Sequence, residues 1–500
     1  MSDIDPDETW ICADCIREPF LNACIEADGV NHTCHYCGGN TQACFSVSAI
    51  SERVEQAIAE HYVRTLEHPS ELEYAMQRHS EGEYEWEREG SGIVYVIEDL
   101  LGTSEAVAGD VQHYLMEKHY DFEAAKMHEE CEFDLDSRYE ERGKVESGDF
   151  DIMWSRLVNS LKTESRYTNH TVRETLDGIF CDVESLRSRG NKTVITRAGP
   201  GGEVPFLYRA RWCRDHNELE AMLVTPDKEL GPPPSRFSGS NRMSAKGISV
   251  FYGASSVETA ISEIRPPVGC NVVTSKFNIT RPLRLLNLPA LESLLERGSK
   301  FDPDYINRRQ QAAFLRTLTS RIVEPVMPGE EDFSYIPTQV VAEYLADPDL
   351  FDLDGILYPS VQLSGSGDDN NYNVVLFHKS SRTHYLKLPD RKDCRIQFER
   401  QCGEDEWEPD ICVTQTAESG DDTPRPEIPQ VPPHLRDVRV PALEIDLLSV
   451  CIHGIQAVRF EYSTDPVTRD KCIYSFPAVS PFVVEDAPWS TGAGQEDNPF

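Results

Sequence analysis

The sequence predicts an α+β fold, and three observations lead to this prediction. Apolar residues recur at helical spacing through residues 47–195. From Phe206 onward, short apolar runs typical of strands are mixed with a few helices, which favours a mixed sheet over repeating βαβ units. A loop-rich segment with many cysteines precedes both regions. The 500 residues, of which 39% are hydrophobic, allow about two to four domains with real cores.

The first segment, residues 1–46, predicts a zinc-ribbon-like knuckle. Cys12-x2-Cys15 is followed by Cys34-x2-Cys37, a spacing in which two turns can offer four thiolates to one tetrahedral zinc ion. Four further side chains lie close enough in sequence to replace one ligand: Cys24, Cys44, His32 and His35. The alternatives are four metal-free thiols or a redox pair, although no βαβ context supports a redox pair. We expect the zinc to be structural.

The second segment, residues 47–195, is charged and has few strand-like runs. Three stretches alternate apolar positions at spacings of three and four: SERVEQAIAEHYVRTLEH, SEAVAGDVQHYLMEKHY and FDIMWSRLVNSLKTES. This pattern predicts an all-helical domain.

The third segment, residues 200–403, predicts the mixed α/β domain. Its expected strands are FLYRAR, SVFYGA, VVTSKFNI, PLRLLNL, GILYPSVQ and NVVLFHK, and its main expected helices are NRRQQAAFLRTLTSRIVEPV and TQVVAEYLADP. Residues 404–436 are acidic and rich in proline, which predicts a disordered insertion. Residues 437–486 return to strand-like alternation and predict closing strands for the same domain, and residues 487–500 resemble a tail.

The charge of the chain restricts its partners and its location. Lys and Arg number 48 against 86 Asp and Glu, so the net charge of −38 opposes broad contact with nucleic acid. A small anionic ligand remains compatible, because it needs only a local group of arginines. The N-terminus has no signal-peptide pattern, and no apolar run is long enough to span a membrane. We therefore expect a cytoplasmic protein that binds neither nucleic acid nor membranes.

The segment from Asn241 to Pro267 combines a strand, a turn and a helix around several polar side chains. SVFY is typical of a buried strand, GASS of a capping turn, and VETAISEI of an amphipathic helix. Glu263 falls near the end of that helix, where the macrodipole disfavours an anion. A carboxylate at this position therefore indicates a purpose other than helix stability.

Several spaced motifs together resemble the RES domain family, which is named for an arginine, a glutamate and a serine. The residues that carry the resemblance are Arg209 in FLYRAR, Arg242, Tyr252 and Glu263 in NRMSAKGISVFYGASSVETAISEIR, and Ser360 in FDLDGILYPSVQ, followed by NYNVVLF. The match extends from Val204 to Lys379 and resumes at Val438 to Ser463. The GGRW-like element of the family is replaced here by SNRMSAKG.

The resemblance implies an ADP-ribosyltransferase-like fold and destruction of NAD+ at its nicotinamide–ribose bond. Many members are bacterial toxins paired with an antitoxin, so an antitoxin protein is a candidate partner whose existence the sequence leaves open. Glu263 would stabilise the oxocarbenium character of the ribose, and Arg209 and Arg242 would clamp the diphosphate. Tyr252 would stack on nicotinamide or border the ribose, and Ser360 would hydrogen-bond a ribose hydroxyl or the amide of the base. No catalytic metal is required.

Structural roles are the alternative for each of these residues taken singly. Arg209 could form a surface ion pair, Tyr252 could belong to the core, Glu263 could pair with Arg265, and Ser360 could be an ordinary hydroxyl at a strand end. The sequence ranks four neighbouring residues as weaker site candidates: Tyr208, Asn241, Ser249 and Asn373.

Two alternative functions stay open at the level of sequence. One is ADP-ribosyl transfer to a protein, and the other is an inactive module that binds NAD+ or a partner. The N-terminal regions also resemble the HEPN-like domain fused to some RES domains, through WICADC, CHYC and SLKTESRYTNH. HEPN nucleases use an Arg-x4-6-His pair, whereas Arg166 and His170 enclose three residues, so we expect a protein-binding or regulatory role and not RNA cleavage. The acceptor of the ADP-ribosyl group, water or phosphate, leaves no motif.

Overall fold

A computed structural model describes residues 5–469, with these exceptions: 41, 80–85, 128, 144–145, 165–168, 325, 328, 361, 363–370, 389–390, 403–406, 416–436, 460–461, 463 and 468. Residues up to Gln456 pack as one unit, and the chain from Ala457 is a separate one. None of the helices in this described part of the chain is long and apolar enough to cross a membrane.

The N-terminal part of the first unit combines helices with two small sheets. Its elements are β1 (Trp10–Cys12), α1 (Pro19–Asp28), β2 (Val30–His32), β3 (Gln42–Ser46), α2 (Val47–His61), β4 (Tyr62–Arg64), α3 (Glu71–His79), β5 (Ser91–Gly92), α4 (Ile93–Leu101), α5 (Glu105–Lys118), α6 (Phe122–Met127) and β6 (Arg138–Glu141). The first sheet has the strand order β1-β3-β2, and the second has the order β4-β6-β5.

The prediction of an all-helical second segment is wrong, because β4, β5 and β6 form a sheet within it. These strands span two to four residues, which is too short for an alternating pattern to be visible in the sequence. Both small sheets and helices α2, α4 and α5 contribute to one hydrophobic core, which includes Ile11, Ile50, Leu101 and Tyr139. The cysteine-rich segment therefore shares its core with the helices that follow it.

The remaining part of the first unit is built on a large mixed sheet. Its elements are α7 (Gly148–Thr163), α8 (His170–Phe180), β7 (Ile195–Ala198), β8 (Phe206–Cys213), α9 (His216–Val224), α10 (Pro226–Glu229), β9 (Phe251–Ala254), α11 (Val257–Glu263), β10 (Asn271–Ile279), β11 (Leu283–Asn287), α12 (Leu288–Glu292), α13 (Tyr305–Val323), α14 (Glu331–Ser334), α15 (Ile336–Ala346), β12 (Gly355–Pro359), β13 (Tyr372–Leu376), β14 (Cys394–Gln401), β15 (Trp407–Gln415), β16 (Leu443–Ile445) and β17 (Cys451–Gly454). The α+β class is confirmed, and the ADP-ribosyltransferase-like fold stays a prediction.

The large sheet has the strand order β16-β10-β8-β9-β13-β12-β11-β7, with β17 paired to β10. Most neighbours are antiparallel, whereas β11 and β12 are parallel. Both faces are covered, since Ile356 and Tyr358 of β12 join the core formed with α7, α8, α13 and α15, while Leu357 joins the opposite core with α9. The sheet therefore lies between two hydrophobic cores.

Two helices assigned by sequence to the second segment pack elsewhere. Phe150, Trp154 and Leu157 of α7 and Leu176 of α8 belong to the core of the large sheet. The predicted boundary at residue 195 therefore does not coincide with a boundary between hydrophobic cores.

The predicted insertion at residues 404–436 is partly structured. β15 pairs antiparallel with β14, so the expectation of disorder is wrong for Trp407–Gln415. Val413 of this strand packs against the core of the large sheet. Residues 416–436 and the predicted tail at 487–500 lie outside the described residues.

Candidate active site

A cavity of about 580 Å³ opens beside the central strands of the large sheet. Four predicted site residues line it, although up to 54 positions separate them in the sequence: Arg209, Arg242, Tyr252 and Glu263. Ser360 is not among the lining residues, and its side chain is only 4% exposed. It directly follows Pro359, which does line the cavity.

One rung of the sheet forms part of the cavity wall. Tyr208 of β8 is paired with Ala254 of β9, which is paired with Asn373 of β13, which in turn is paired with Tyr358 of β12. Directly opposed residues project to the same face of a sheet, and all four line the cavity. The small Ala254 leaves space between the larger polar side chains.

Arg209 lies where two central strands separate. β8 and β9 share only the pair Tyr208 and Ala254, so the strands diverge beside it. The Arg209 guanidinium donates a hydrogen bond to the Tyr252 carbonyl oxygen at 2.9 Å and lies 4.7 Å from the centre of the Phe251 ring. Burial, together with nearby Arg211, lowers the pKa of Arg209 to about 10. Arg209 therefore stays charged at neutral pH and retains further N–H donors.

Arg242 joins a loop of the cavity wall to two helices. Its Nη1 donates to the Ile322 carbonyl oxygen at 2.6 Å, near the end of α13, where the helix dipole favours a cation. The guanidinium also lies 5.1 Å from the centre of the Tyr335 ring, and the Arg242 carbonyl accepts from Thr338 of α15 at 2.5 Å. These contacts hold the side chain at the edge of the cavity.

Glu263 is the last residue of α11, whose N-terminus is capped by the Ser256 side chain. Its Oε2 accepts a hydrogen bond from Asn373 Nδ2 at 3.0 Å. Burial raises the pKa of Glu263 above its ordinary value of 4.5, against the Asn373 hydrogen bond and the charges of Arg265 and Arg242, which act to lower it. Glu263 is nevertheless accessible to solvent through the open cavity, so a ligand can reach this carboxylate, one oxygen of which is fixed by Asn373.

Tyr252 faces the cavity with its hydroxyl already engaged. Its Oη accepts from the Met243 backbone N–H at 3.2 Å, and burial raises its pKa to about 12. The phenol is therefore neutral at physiological pH and supplies an aromatic wall.

The weaker sequence candidates divide into two groups. Tyr208, Asn241 and Asn373 line the cavity. Ser249 is buried and does not line it, and its Oγ donates to the Pro233 carbonyl oxygen at 2.6 Å, which is a structural role.

Sequence reasoning missed several lining residues, of which the polar or aromatic ones are Tyr358, Tyr335, Glu331, Gln362 and Arg265. Tyr358 stands within the motif that contains Ser360, so its position was a usable signal. Arg265 was considered only as an ion-pair partner of Glu263; among the described residues the two side chains form no direct ion pair, although the Arg265 charge acts on Glu263. Tyr335 and Glu331 come from helical segments without a motif, and only the fold brings them to the cavity.

The four cysteines of the N-terminal knuckle form a separate cluster. The Sγ atoms of Cys12, Cys15, Cys34 and Cys37 all lie within 4.8 Å of one another, and the Cys12–Cys37 and Cys15–Cys34 distances are 3.5 and 3.7 Å. Tetrahedral Zn–S bonds of about 2.3 Å would separate the sulfurs by about 3.8 Å. The cluster could therefore bind a metal such as zinc.

The other potential ligands in this segment are engaged differently. The Cys44 thiol contacts the His32 carbonyl oxygen at 3.6 Å, and the His35 Nδ1 accepts from the Trp10 backbone N–H at 2.9 Å. His32 stacks on Trp10, with ring centres 4.7 Å apart. Of the pair considered for nuclease activity, His170 is exposed at the start of α8, and Arg166 lies outside the described residues.

Comparison with known proteins identifies one region of similarity. A model of the RES domain family matches residues 206–396, which include Arg209, Arg242, Glu263 and Ser360. No curated protein and no solved structure matches the chain. The resemblance of the N-terminal part to HEPN-like domains stays a prediction. RES domains are associated with NAD+-related activity in general.

Proposed function

We propose that this chain, through its RES-like region, cleaves the nicotinamide–ribose bond of NAD+. The observation that carries the proposal is the position of Glu263 in one cavity with Arg209 and Arg242. A carboxylate and two guanidiniums match the two charges that the reaction and the substrate present: a developing cation on the ribose and a diphosphate. The volume of about 580 Å³ is also in the range typical of ligand pockets.

Glu263 would act on the ribose as an anion. Loss of nicotinamide gives the ribose oxocarbenium character, and a carboxylate placed beside it stabilises that charge more than it stabilises the ground state. The Asn373 amide leaves the second carboxylate oxygen of Glu263 available, because the hydrogen bond uses Oε2. That oxygen could accept a bond from a ribose hydroxyl.

Arg209 and Arg242 would bind the diphosphate with the N–H groups that their structural contacts leave free. A guanidinium has five donors, and each of these arginines donates one hydrogen bond to a backbone carbonyl. The rings of Tyr252 and Tyr358 provide flat surfaces for a base. Ser360 directly follows the lining residue Pro359, and it would support the cavity wall from behind at this point.

The direct test is release of nicotinamide from NAD+ by the purified full chain. We expect turnover by the wild type and a loss of about 10²-fold or more in kcat for Glu263→Gln, because the variant removes the charge while keeping the shape. Glu258→Gln is the matched control, since Glu258 is exposed on the first turn of the same helix and does not line the cavity. No release by the wild type, or equal rates for both variants, would contradict the proposal.

The acceptor is identified from the products of the same reaction. Hydrolysis gives ADP-ribose, phosphorolysis gives a phosphorylated ADP-ribose that forms only when phosphate is added, and protein modification puts radiolabel from NAD+ on a macromolecule. Phosphorus NMR with and without phosphate separates the first two, and gel autoradiography detects the third.

A further inference from the structure

Arg265 has an uncommon backbone conformation for its residue type. Its φ is +45°, in the left-handed region, where it ends the turn after α11 with its N–H donating to the Ser262 carbonyl oxygen at 3.2 Å. Glycine is the usual residue at such a position, because a side chain there is strained. An arginine therefore occupies a position whose backbone conformation suits glycine better.

The Arg265 side chain reaches the cavity without a hydrogen-bond partner among the described residues, although its charge acts on nearby Glu263. It lines the cavity and is exposed, and within the described part of the chain its guanidinium forms no hydrogen bond or ion pair. Arg209 and Arg242 differ, because each is bound to a backbone carbonyl and stacked on an aromatic ring. Among the described cationic side chains that line the cavity, Arg265 thus keeps its whole set of donors for a ligand.

We propose that Arg265 binds an anionic group of the ligand and, resting on the proposed function, that this group is a phosphate of the NAD+ diphosphate. The guanidinium offers the planar, bidentate geometry that phosphate oxygens accept. Its position two residues after Glu263 places this cation beside the reacting end of the cavity. Binding of the ligand compensates for the strained backbone, which is the kind of outlier that accumulates at functional sites.

The backbone conformation makes Arg265→Gly an informative variant, because glycine removes the guanidinium and relieves the strain together. We expect its melting temperature to be no lower than that of the wild type. In a calorimetric titration with ADP-ribose, we expect binding to the full chain to weaken about tenfold or more for Arg265→Gly and less for Arg265→Lys. Asn191→Gly is the control, since Asn191 also has a positive φ, of 63°, but is exposed outside the cavity.

Kinetics add a second readout with substrates of different charge. We expect Arg265→Gly to raise KM for NAD+ about tenfold with kcat changed less than about twofold. With nicotinamide riboside, which has no phosphate, we expect kcat/KM of the variant to fall less than it does with NAD+.

Equal affinity of Arg265→Gly and the wild type for ADP-ribose would overturn the proposal, and so would an absence of ADP-ribose binding by the wild type. An equal loss with nicotinamide riboside would also overturn it. If Arg265→Gly does not fold, the Arg265→Lys titration decides. If the wild type binds ADP-ribose but does not cleave NAD+, the proposed function fails while the titration still decides the role of Arg265.

Discussion

Glu263 is placed where two effects disfavour its charge. Burial raises its pKa above 4.5, and it ends α11, where the helix dipole disfavours an anion. A carboxyl with a raised folded-state pKa stabilises the fold below its ordinary pKa, and this contribution is lost as the pH rises through the raised value. We therefore expect Glu263→Gln to have a higher melting temperature than the wild type at pH 8, and the difference to shrink below about pH 4.

Thermal denaturation across this pH range measures the effect. Glu258→Gln supplies a control of opposite sign, because an acidic residue in the first turn of α11 is favoured by the dipole by about 0.3–1 kcal/mol. A Glu263→Gln protein less stable than the wild type at pH 8 would contradict the prediction.

Asn373 holds the carboxylate that the proposed reaction uses. Because Asn373 donates to Glu263 at 3.0 Å, Asn373→Asp would put a second carboxyl against it and raise the apparent pKa of the pair. We expect the acidic limb of the kcat/KM profile for NAD+ to move to higher pH. Asn241→Asp adds the same charge to the cavity, but Asn241 donates to Gly239 and not to Glu263, so its shift should be smaller. Equal shifts would contradict a positioning role for Asn373.

The sequence could predict the site residues that stand in family motifs, because these motifs follow one another in the expected order along the chain. Arg209 and Glu263 were identifiable on this basis, and both line the cavity. Tyr335 was not identifiable, because its role depends on α15 beginning beside the Arg242 guanidinium. Ser360 shows the converse, since a motif serine lies just outside the lining. A motif order therefore predicts which residues gather in one region but not which atoms face the ligand.

Gly253 controls how closely β8 and β9 approach each other at the cavity. A Cβ at this position would lie 2.8 Å from the Leu207 Cβ and 2.9 Å from the Phe251 ring, closer than carbon atoms can pack. We expect Gly253→Ala to lower the free energy of unfolding by about 1–3 kcal/mol, because β9 must move away from β8. That movement would also disturb the Arg209 hydrogen bond to Tyr252.

Urea denaturation with both variants tests this expectation. Gly109→Ala in α5 is the matched control, since nothing lies within 4 Å of its added Cβ and alanine favours a helix by about 0.5–1 kcal/mol. An equal or greater stability for Gly253→Ala than for the wild type would show that the two strands are not restrained by this contact.

Long or strongly periodic elements were predictable from sequence, and short ones were not. FLYRAR and VVTSKFNI correspond to β8 and β10, and the run from Val257 to Ile264 corresponds to α11. β5 has two residues and carries no period, and β15 was hidden by acidic residues and a proline in its sequence. Whether such a segment forms a strand depends on its pairing with a neighbouring strand, and the sequence of the segment itself does not contain this information.

At the scale of the whole molecule, the cysteine cluster belongs to the N-terminal core and not to the core around the cavity. We propose that it holds one structural zinc ion, because four cysteine sulfurs within 4.8 Å of one another match the ligand set of a closed structural zinc site. Cys37→Ser should lower the zinc content and the melting temperature of the N-terminal core. Elemental analysis and calorimetry measure both, with Cys24→Ser as the control outside the cluster. Full zinc content in Cys37→Ser would contradict the four-cysteine assignment.

Domain boundaries were the least predictable property of the whole chain. Composition changes near residue 195, but Trp154 and Leu176 complete the core under the large sheet. The amphipathic pattern of α7 and α8 shows that they bury one face, and it contains no information on which partner covers that face. The three-dimensional packing of α13 and α15 supplies the partner.

His61 lies between the N-terminal part and the start of α13. Its side chain is fully buried, its ring centre is 5.6 Å from that of Tyr305, and neither ring nitrogen has a hydrogen-bond partner in the described residues. Burial lowers the pKa of His61; Glu60, 3.9 Å away, and Glu141 act to raise it, and Arg309 and Lys300 act to lower it further. The neutral ring is therefore part of the folded state.

A histidine with a lowered folded-state pKa contributes stability that is present above its ordinary pKa of about 6.5 and is lost as the pH falls through the lowered value. The His61→Phe variant cannot bind a proton at this position. We therefore expect its free energy of unfolding to fall less than that of the wild type when the pH is lowered from 7.5 to about 5. Chemical denaturation at several pH values measures the difference. His113→Phe, at a partly exposed position on α5, is the control for replacing a histidine by phenylalanine elsewhere in this part of the chain. If the free energies of unfolding of His61→Phe and the wild type change in parallel with pH, protonation of His61 does not couple to folding. If the two curves diverge as the pH falls, this part of the acid sensitivity comes from the contact between α2 and α13.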